Sequence, residues 1–196
     1  MDREKDFQKE KPNVCKETQS LMSKILQGTR RRRKGVREME DLTLNHVDAK
    51  HPDLWLLIEK LDEELLQRYP AEDIFGLDRD DPRLDQSVFV VAYYGDRPVG
   101  CGGIRPFDAE STELKRFFVD NAYRKRGVAG RMLTFLEERA RERDFISVKL
   151  ETGPEQPESL YFYKKHGYVE IDRYGEYIGS EASICFEKPL AAKGRE

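Results

Sequence analysis

The chain is poor in the residues that build metal centres and covalent cross-links. It has three cysteines in 196 residues, Cys15, Cys101 and Cys185, too widely separated for a disulfide framework or a zinc cluster. Its three histidines, His46, His51 and His166, also lack ligand spacing, so no metal is expected. No apolar run reaches the roughly 18 residues that a membrane-spanning helix needs. The Met-Asp-Arg-Glu-Lys start is too charged for a secretion signal, and a reducing cytosol is the expected compartment. A Gly-Lys-Ser or Gly-Lys-Thr phosphate loop is absent, and so is a G-x-G-x-x-G turn in a parallel βαβ unit. No internal repeat is visible.

What is present divides near residue 38. Residues 1–38 carry 12 Lys and Arg against 6 Asp and Glu, a net +6 that leaves −9 for the rest of a chain of formal charge −3. With few periodic apolar positions, this segment reads as a disordered basic extension. Its Arg30-Arg31-Arg32-Arg33-Lys34 run has no interleaved aromatic residues, which weakens a single-stranded nucleic-acid reading. A single folded domain is expected over 39–190, with a short tail at 191–196.

Inside that domain the hydrophobic periods alternate between two and about 3.6. Leu42 to Val47 reads as a strand, and Leu54, Leu57, Ile58, Leu61 and Leu65 mark a helix that Pro70 ends. An acidic stretch follows, with a short helix expected around Ile74 and Phe75. Val88–Tyr94 and Val99–Ile104 read as a hairpin turned at Gly95-Asp96, and Glu113–Val119 as a fourth strand. Ala129, Met132, Leu133, Leu136 and Ala140 give the next helix its face. Ile146, Val148 and Leu150 mark a fifth strand, and Pro157 opens a helix that Gly167 closes. Two last strands near Tyr168–Ile171 and Ser183–Phe186 complete a mixed α/β chain.

The most informative stretch is Arg124-Lys125-Arg126-Gly127-Val128-Ala129-Gly130, between the fourth strand and its helix. A helix N-terminus presents unbonded backbone N–H groups and the positive end of the helix dipole. Gly127, Ala129 and Gly130 leave the backbone accessible, and the basic residues add charge. The arrangement suits a pyrophosphate.

The Arg-x-x-Gly-x-Ala pattern resembles motif A of the GNAT superfamily of acyl-CoA-dependent N-acyltransferases. Glu113 stands eleven residues before Arg124, where histone-type members carry a general base. The segment Leu150-Glu151-Thr152-Gly153, then Gln156-Pro157-Glu158 and Phe162-Tyr163-Lys164-Lys165-His166-Gly167-Tyr168, resembles the family's strand-five-to-helix unit. Glu187 lies in a last strand of familiar type.

The resemblance spans about residues 40–190. It implies a mostly antiparallel sheet of six to seven strands flanked by about four helices, with acetyl-CoA as co-substrate. It also implies direct transfer of an acetyl group to a primary amine of a small molecule, an amino acid or related metabolite among the candidates.

Roles follow residue by residue from the same resemblance. The loop Arg124, Lys125, Arg126, Gly127, Val128, Ala129 and Gly130 would hold the pyrophosphate, with Gln156 nearby. Backbone groups of Phe117, Phe118 and Val119 would pair with the pantetheine arm. A lysine-like amine is neutral in only roughly one molecule per thousand at pH 7, so a proton acceptor is useful. Glu113 is the expected base, Glu151 a weaker candidate, and Tyr163 the expected acid for the departing thiolate. Tyr161 and Tyr168 are close enough in sequence to compete with Tyr163. Tyr69, Arg105, Arg116 and Tyr177 are the expected acceptor-binding residues, with Tyr174 beside them. Cys101, between glycines, reads as packing. A weakly catalytic acyl-CoA-binding module and a protein-lysine acetyltransferase are the alternatives. A homodimer is left open, and neither a nucleic-acid nor a membrane partner is expected.

Overall fold

Seven β-strands form one sheet in the computed structural model, which describes residues 41–191. The basic extension and residues 192–196 lie outside the described residues. The strands are β1 (Leu42–Val47), β2 (Val88–Tyr94), β3 (Arg97–Pro106), β4 (Ser111–Val119), β5 (Ser147–Thr152), β6 (Val169–Ile171) and β7 (Ile184–Pro189). Their order is β1-β2-β3-β4-β5-β7-β6, and every pairing is antiparallel except that of β4 with β5.

Three α-helices flank the sheet: α1 (Pro52–Leu65), α2 (Val128–Glu142) and α3 (Pro157–Lys165). The short helix expected at Ile74 and Phe75 is instead a 3-10 turn over Ala71–Asp73. Ile74 follows in extended backbone, and the Phe75 ring packs edge-on against Tyr177 at 4.8 Å. His51 caps α1 by accepting a 3.2 Å bond from the Asp53 N–H.

Helices on both faces explain why β2 is apolar along nearly its whole length. Val88 and Val90 face α2 with its Met132, Leu133 and Leu136, while Phe89 and Val91 face α1 with its Leu54, Leu57 and Ile58. Burying such side chains is worth about 1.5–3 kcal/mol each before entropy is counted. Glu137 of α2 is buried and ion-paired with Lys188 of β7 at 2.8 Å, which fastens that helix over the sheet's far half.

Two irregularities in the middle of the sheet create the site. Cys101 pairs with Phe118 but Gly103 pairs with Lys115, so β4 carries an extra residue in a bulge. Arg116 sits in that bulge at φ +53°, a left-handed backbone unusual for a residue with a side chain. Opposite it, a Cβ on Gly102 would come within 2.7 Å of the Phe117 ring, so only glycine lets the two strands close there. The second irregularity is that β4 and β5 stay paired only from Ser111↔Ser147 to Leu114↔Leu150. Beyond those residues they splay.

Candidate active site

Where β4 leaves β5, a cleft opens with Leu114 to Phe117 on one wall and Glu151, Thr152 and Gly153 on the other. Gln156, Ser159 and Tyr163 of the β5–α3 turn and α3 contribute a third side, and Tyr69 and Asp73 after α1 a fourth. A Cβ on Gly153 would overlap the Tyr69 phenol, so the glycine lets that ring lie flat on the β5 end. Arg68 holds the Tyr69 segment to the opposite wall, with Nη1 2.9 Å from the Glu155 carbonyl and 2.7 Å from the Glu158 carboxylate.

The loop ahead of α2 has the geometry of an anion site. Gly127 caps the helix at φ +84°, and no atom lies within 4 Å of where its Cβ would stand. The first backbone bond back into this turn runs from the Arg131 N–H to the Gly127 carbonyl, 3.2 Å long. The N–H groups of Val128, Ala129 and Gly130 precede that bond and are left without helical partners.

The basic residues of this loop divide. Lys125 is exposed at φ +62° and has no ion pair among the described residues. The Arg126 guanidinium lies over the Tyr123 ring at 5.3 Å. Arg124 is a structural brace: its Nε donates to the Val119 carbonyl at 2.9 Å and its Nη2 to Glu64 of α1. That brace takes up the Val119 carbonyl, one of the backbone groups at the splayed edge.

Three tyrosines close in sequence separate cleanly in space. Tyr161 is 70% exposed, and Tyr168 is buried with its hydroxyl donating to Glu137 at 3.2 Å. Tyr163 lines the cleft, and its hydroxyl makes no hydrogen bond to the described residues. Burial, and then the charge of Glu151, push its phenol well above the ordinary tyrosine range, so it stays protonated. The Phe117 ring stands beside it at 6.4 Å and stacks on Phe162 at 6.0 Å, walling the cleft. Phe118 and Val119 bury their side chains on opposite faces of the sheet. Gln156 is in place at the cleft, accepting a 3.3 Å bond from the Thr152 hydroxyl.

Glu113 sits elsewhere than a base should. It is 1% exposed and lies outside the cleft lining. Arg105 Nη2 donates to one carboxylate oxygen at 2.8 Å, and the hydroxyls of Tyr177 and Tyr174 donate to the other at 2.6 and 3.2 Å. Arg105 is likewise engaged, bridging Glu113 and Asp81. This buried cluster is a strut beneath the cleft.

Lys115 joins the strut to the cleft, donating to the Tyr177 hydroxyl at 2.6 Å and to Glu176 at 3.3 Å. Tyr177 and Arg116 both reach the cleft lining, and the Arg116 terminal nitrogen pairs with Asp62 of α1. Glu151 also lines the cleft. Burial raises its carboxyl above the usual range, although the Ser183 hydroxyl donates to it at 2.7 Å. Cys101 is fully buried with its thiol pushed up to about 12 by burial, which leaves packing as its role.

The splayed strands, the bulge and the glycine-capped helix are joined by direct likenesses to known proteins. The Acetyltransferase (GNAT) family model matches residues 52–168. The chain belongs to the GNAT acetyltransferase family. IAA acetyltransferase of Azospirillum brasilense is 35% identical over 154 residues, covering 78% of this chain and all of that protein. A crystal structure from Klebsiella pneumoniae, assigned as an acyl-CoA N-acyltransferase, superposes with a TM-score of 0.68 at 26% identity, covering 76% of this chain and 98% of that one. A GNAT family acetyltransferase from Elizabethkingia anophelis, solved with acetyl-CoA bound, superposes with a TM-score of 0.56 at 22% identity over 76% and 99% of the two chains. This GNAT protein is therefore an acetyl-CoA-dependent N-acetyltransferase. Among the described residues no cluster suits a metal ion, and no helix is long and apolar enough to cross a membrane.

Proposed function

We propose that the protein transfers an acetyl group from acetyl-CoA to the primary amine of a small molecule by direct attack in a ternary complex. The observation that carries this reading is the parting of β4 from β5 at Leu114 and Leu150, ahead of the α2 N-terminus and beside the Tyr163 hydroxyl. The uncovered β4 edge suits the amide groups of a pantetheine arm, and the N–H groups of Val128, Ala129 and Gly130, with Lys125, suit a pyrophosphate. Acetyl-CoA supplies a thioester whose carbonyl carbon accepts the amine and whose sulfur leaves.

The chain's own residues handle the protons. Glu151, in the cleft, takes in its carboxylate form the proton that the attacking nitrogen loses as the N–C bond forms. Tyr163 gives its proton to the sulfur as the C–S bond breaks, and solvent restores both groups after release. The free N–H groups along β4 polarise the acyl oxygen. Glu113 holds Tyr177 and Arg105 in place rather than meeting the amine. This reading supports a transferase over a passive acyl-CoA-binding module, because the carboxylate and the phenol both face the cleft.

The test is thiol release from acetyl-CoA by the full chain with a panel of primary amines, to which IAA is added because of the Azospirillum relative's name. Release that depends on one amine class supports the proposal. Tight acetyl-CoA binding with no acceptor-dependent release would assign the chain to the binding-module class.

A further inference from the structure

Burial without a partner is costly for a hydrogen-bond donor, so native proteins rarely leave one without a use. Among the described residues, two such orphans line one cavity: the hydroxyl of Tyr69 and Nε of Arg116. Arg116 is 8% exposed, and its pairing with Asp62 uses only the terminal nitrogen. The inner edge of the guanidinium is therefore unspent. Tyr69 is fixed by the bare backbone of Gly153 beneath its ring and by the Arg68 bridges beside it.

We infer that Tyr69 Oη and Arg116 Nε form a carboxylate-binding subsite, so that the acceptor is an amine carrying a free carboxylate, as an amino acid does. This rests on the acetyl-transfer reading and names its substrate class. An arginine has no acceptor to offer, and burial raises the Tyr69 phenol, which keeps its proton. Each offers a proton to an acceptor atom, and a carboxylate has two oxygens to present at once. Asp62 already neutralises Arg116, so the subsite discriminates by hydrogen bonds more than by net charge.

The same cavity also carries carboxylates. Glu151 and Asp73 line it, and neither has an ion pair among the described residues. An ammonium belongs near those carboxylates. A zwitterion bound in the cavity would find donors for its carboxylate in Tyr69 and Arg116, and acceptors for its nitrogen in Glu151 and Asp73. Arg105, the other arginine expected at the acceptor, is engaged by Asp81 and Glu113.

The test measures binding, so that it stands apart from turnover. Isothermal titration of the full chain, saturated with CoA, is run with N-acetyl derivatives of the twenty amino acids, their carboxamides, and N-alkylacetamides lacking the carboxylate. At least one acid is expected to bind ten-fold or more tighter than its carboxamide and its decarboxylated counterpart. Tyr69→Phe and Arg116→Lys should each reduce that preference several-fold while CoA affinity stays unchanged.

Equal affinity for acids and carboxamides, or no acid binding at all, overturns the inference. A CoA affinity that falls in Tyr69→Phe with the acid preference intact also overturns it, because the donors would then serve the cofactor. If the acids bind with the expected preference but no amine yields thiol release, the subsite stands and the transfer reading fails.

Discussion

Tyr177 Oη lies 2.6 Å from Glu113 Oε1 and 2.6 Å from Lys115 Nζ, so one phenol joins a buried carboxylate to a lysine at the floor of the cleft. Burial and the neighbouring Glu113 charge push the Tyr177 phenol far above its ordinary range, so it serves as a fixed donor to Glu113. The consequence is that Glu113 is held by the strut, and the proposed mechanism gives it no contact with the amine.

Glu113→Gln should therefore damage stability before chemistry. Arg105 would lose one buried counter-charge while keeping Asp81, so the cost should stay below the roughly 3–5 kcal/mol of leaving a buried charge wholly unpaired. Chemical denaturation should show this loss. Whatever activity remains should keep the wild-type pH profile, whereas a defect that shrinks as the amine loses its proton would restore Glu113 as the base.

Glu151 should show the opposite pattern. As a base it must be ionised, so kcat/KM should fall as pH drops through a value above the ordinary glutamate range. Glu151→Gln should remove that limb and lower turnover about 10²-fold or more. The stability sign follows from linkage: the folded state binds the Glu151 proton more tightly than the unfolded chain. Its contribution is thus fully present below the unfolded pKa and lost as pH rises through the raised one. Glu151→Gln should raise Tm relative to wild type at neutral pH, with the gain vanishing in acid; a lower Tm at neutral pH would contradict the burial argument.

The strands and helices were legible because their apolar periods are clean, as in β2 and in the Met132, Leu133 and Leu136 face of α2. The loop before α2 was legible from Gly127 and its neighbours. Tyr163 was expected at the site from the family resemblance alone, and the structure has it in the cleft lining, with Tyr161 exposed and Tyr168 beyond the end of α3. The buried partners of Glu113 were not legible, because Tyr174 and Tyr177 are 61 and 64 residues away and only the β3–β4 register brings Arg105 opposite it. The bracing of Arg124 was hidden for a related reason, since its Glu64 partner arrives with α1 from 60 residues earlier. The bulge had no local signal, because its positive φ falls on an arginine rather than a glycine.

Gly127→Ala should separate backbone strain from ligand contact. Space exists for a methyl group, but φ +84° costs a side chain roughly 1–2 kcal/mol. Gly127→Asp adds negative charge at the proposed anion site. Calorimetry should find acetyl-CoA affinity reduced slightly in the first variant and by more than ten-fold in the second. Equal affinities in the two would remove the pyrophosphate from this loop.

The core that holds the cleft is built within residues 41–191. Deleting residues 1–38 should leave acetyl-CoA affinity and Tm nearly unchanged. A truncated chain that fails to fold would make the basic extension part of the domain.

The most direct measurement of the central claim is acceptor-dependent thiol release by Tyr163→Phe. The substitution keeps the ring against Phe117 and removes one hydroxyl from the cleft. The account predicts a fall in kcat of about ten-fold or more, with acetyl-CoA affinity and Tm little changed. A synthetic thioester with a more acidic thiol should recover part of the lost rate. Full activity of Tyr163→Phe with acetyl-CoA would contradict the account and leave Tyr163 as a wall of the cleft.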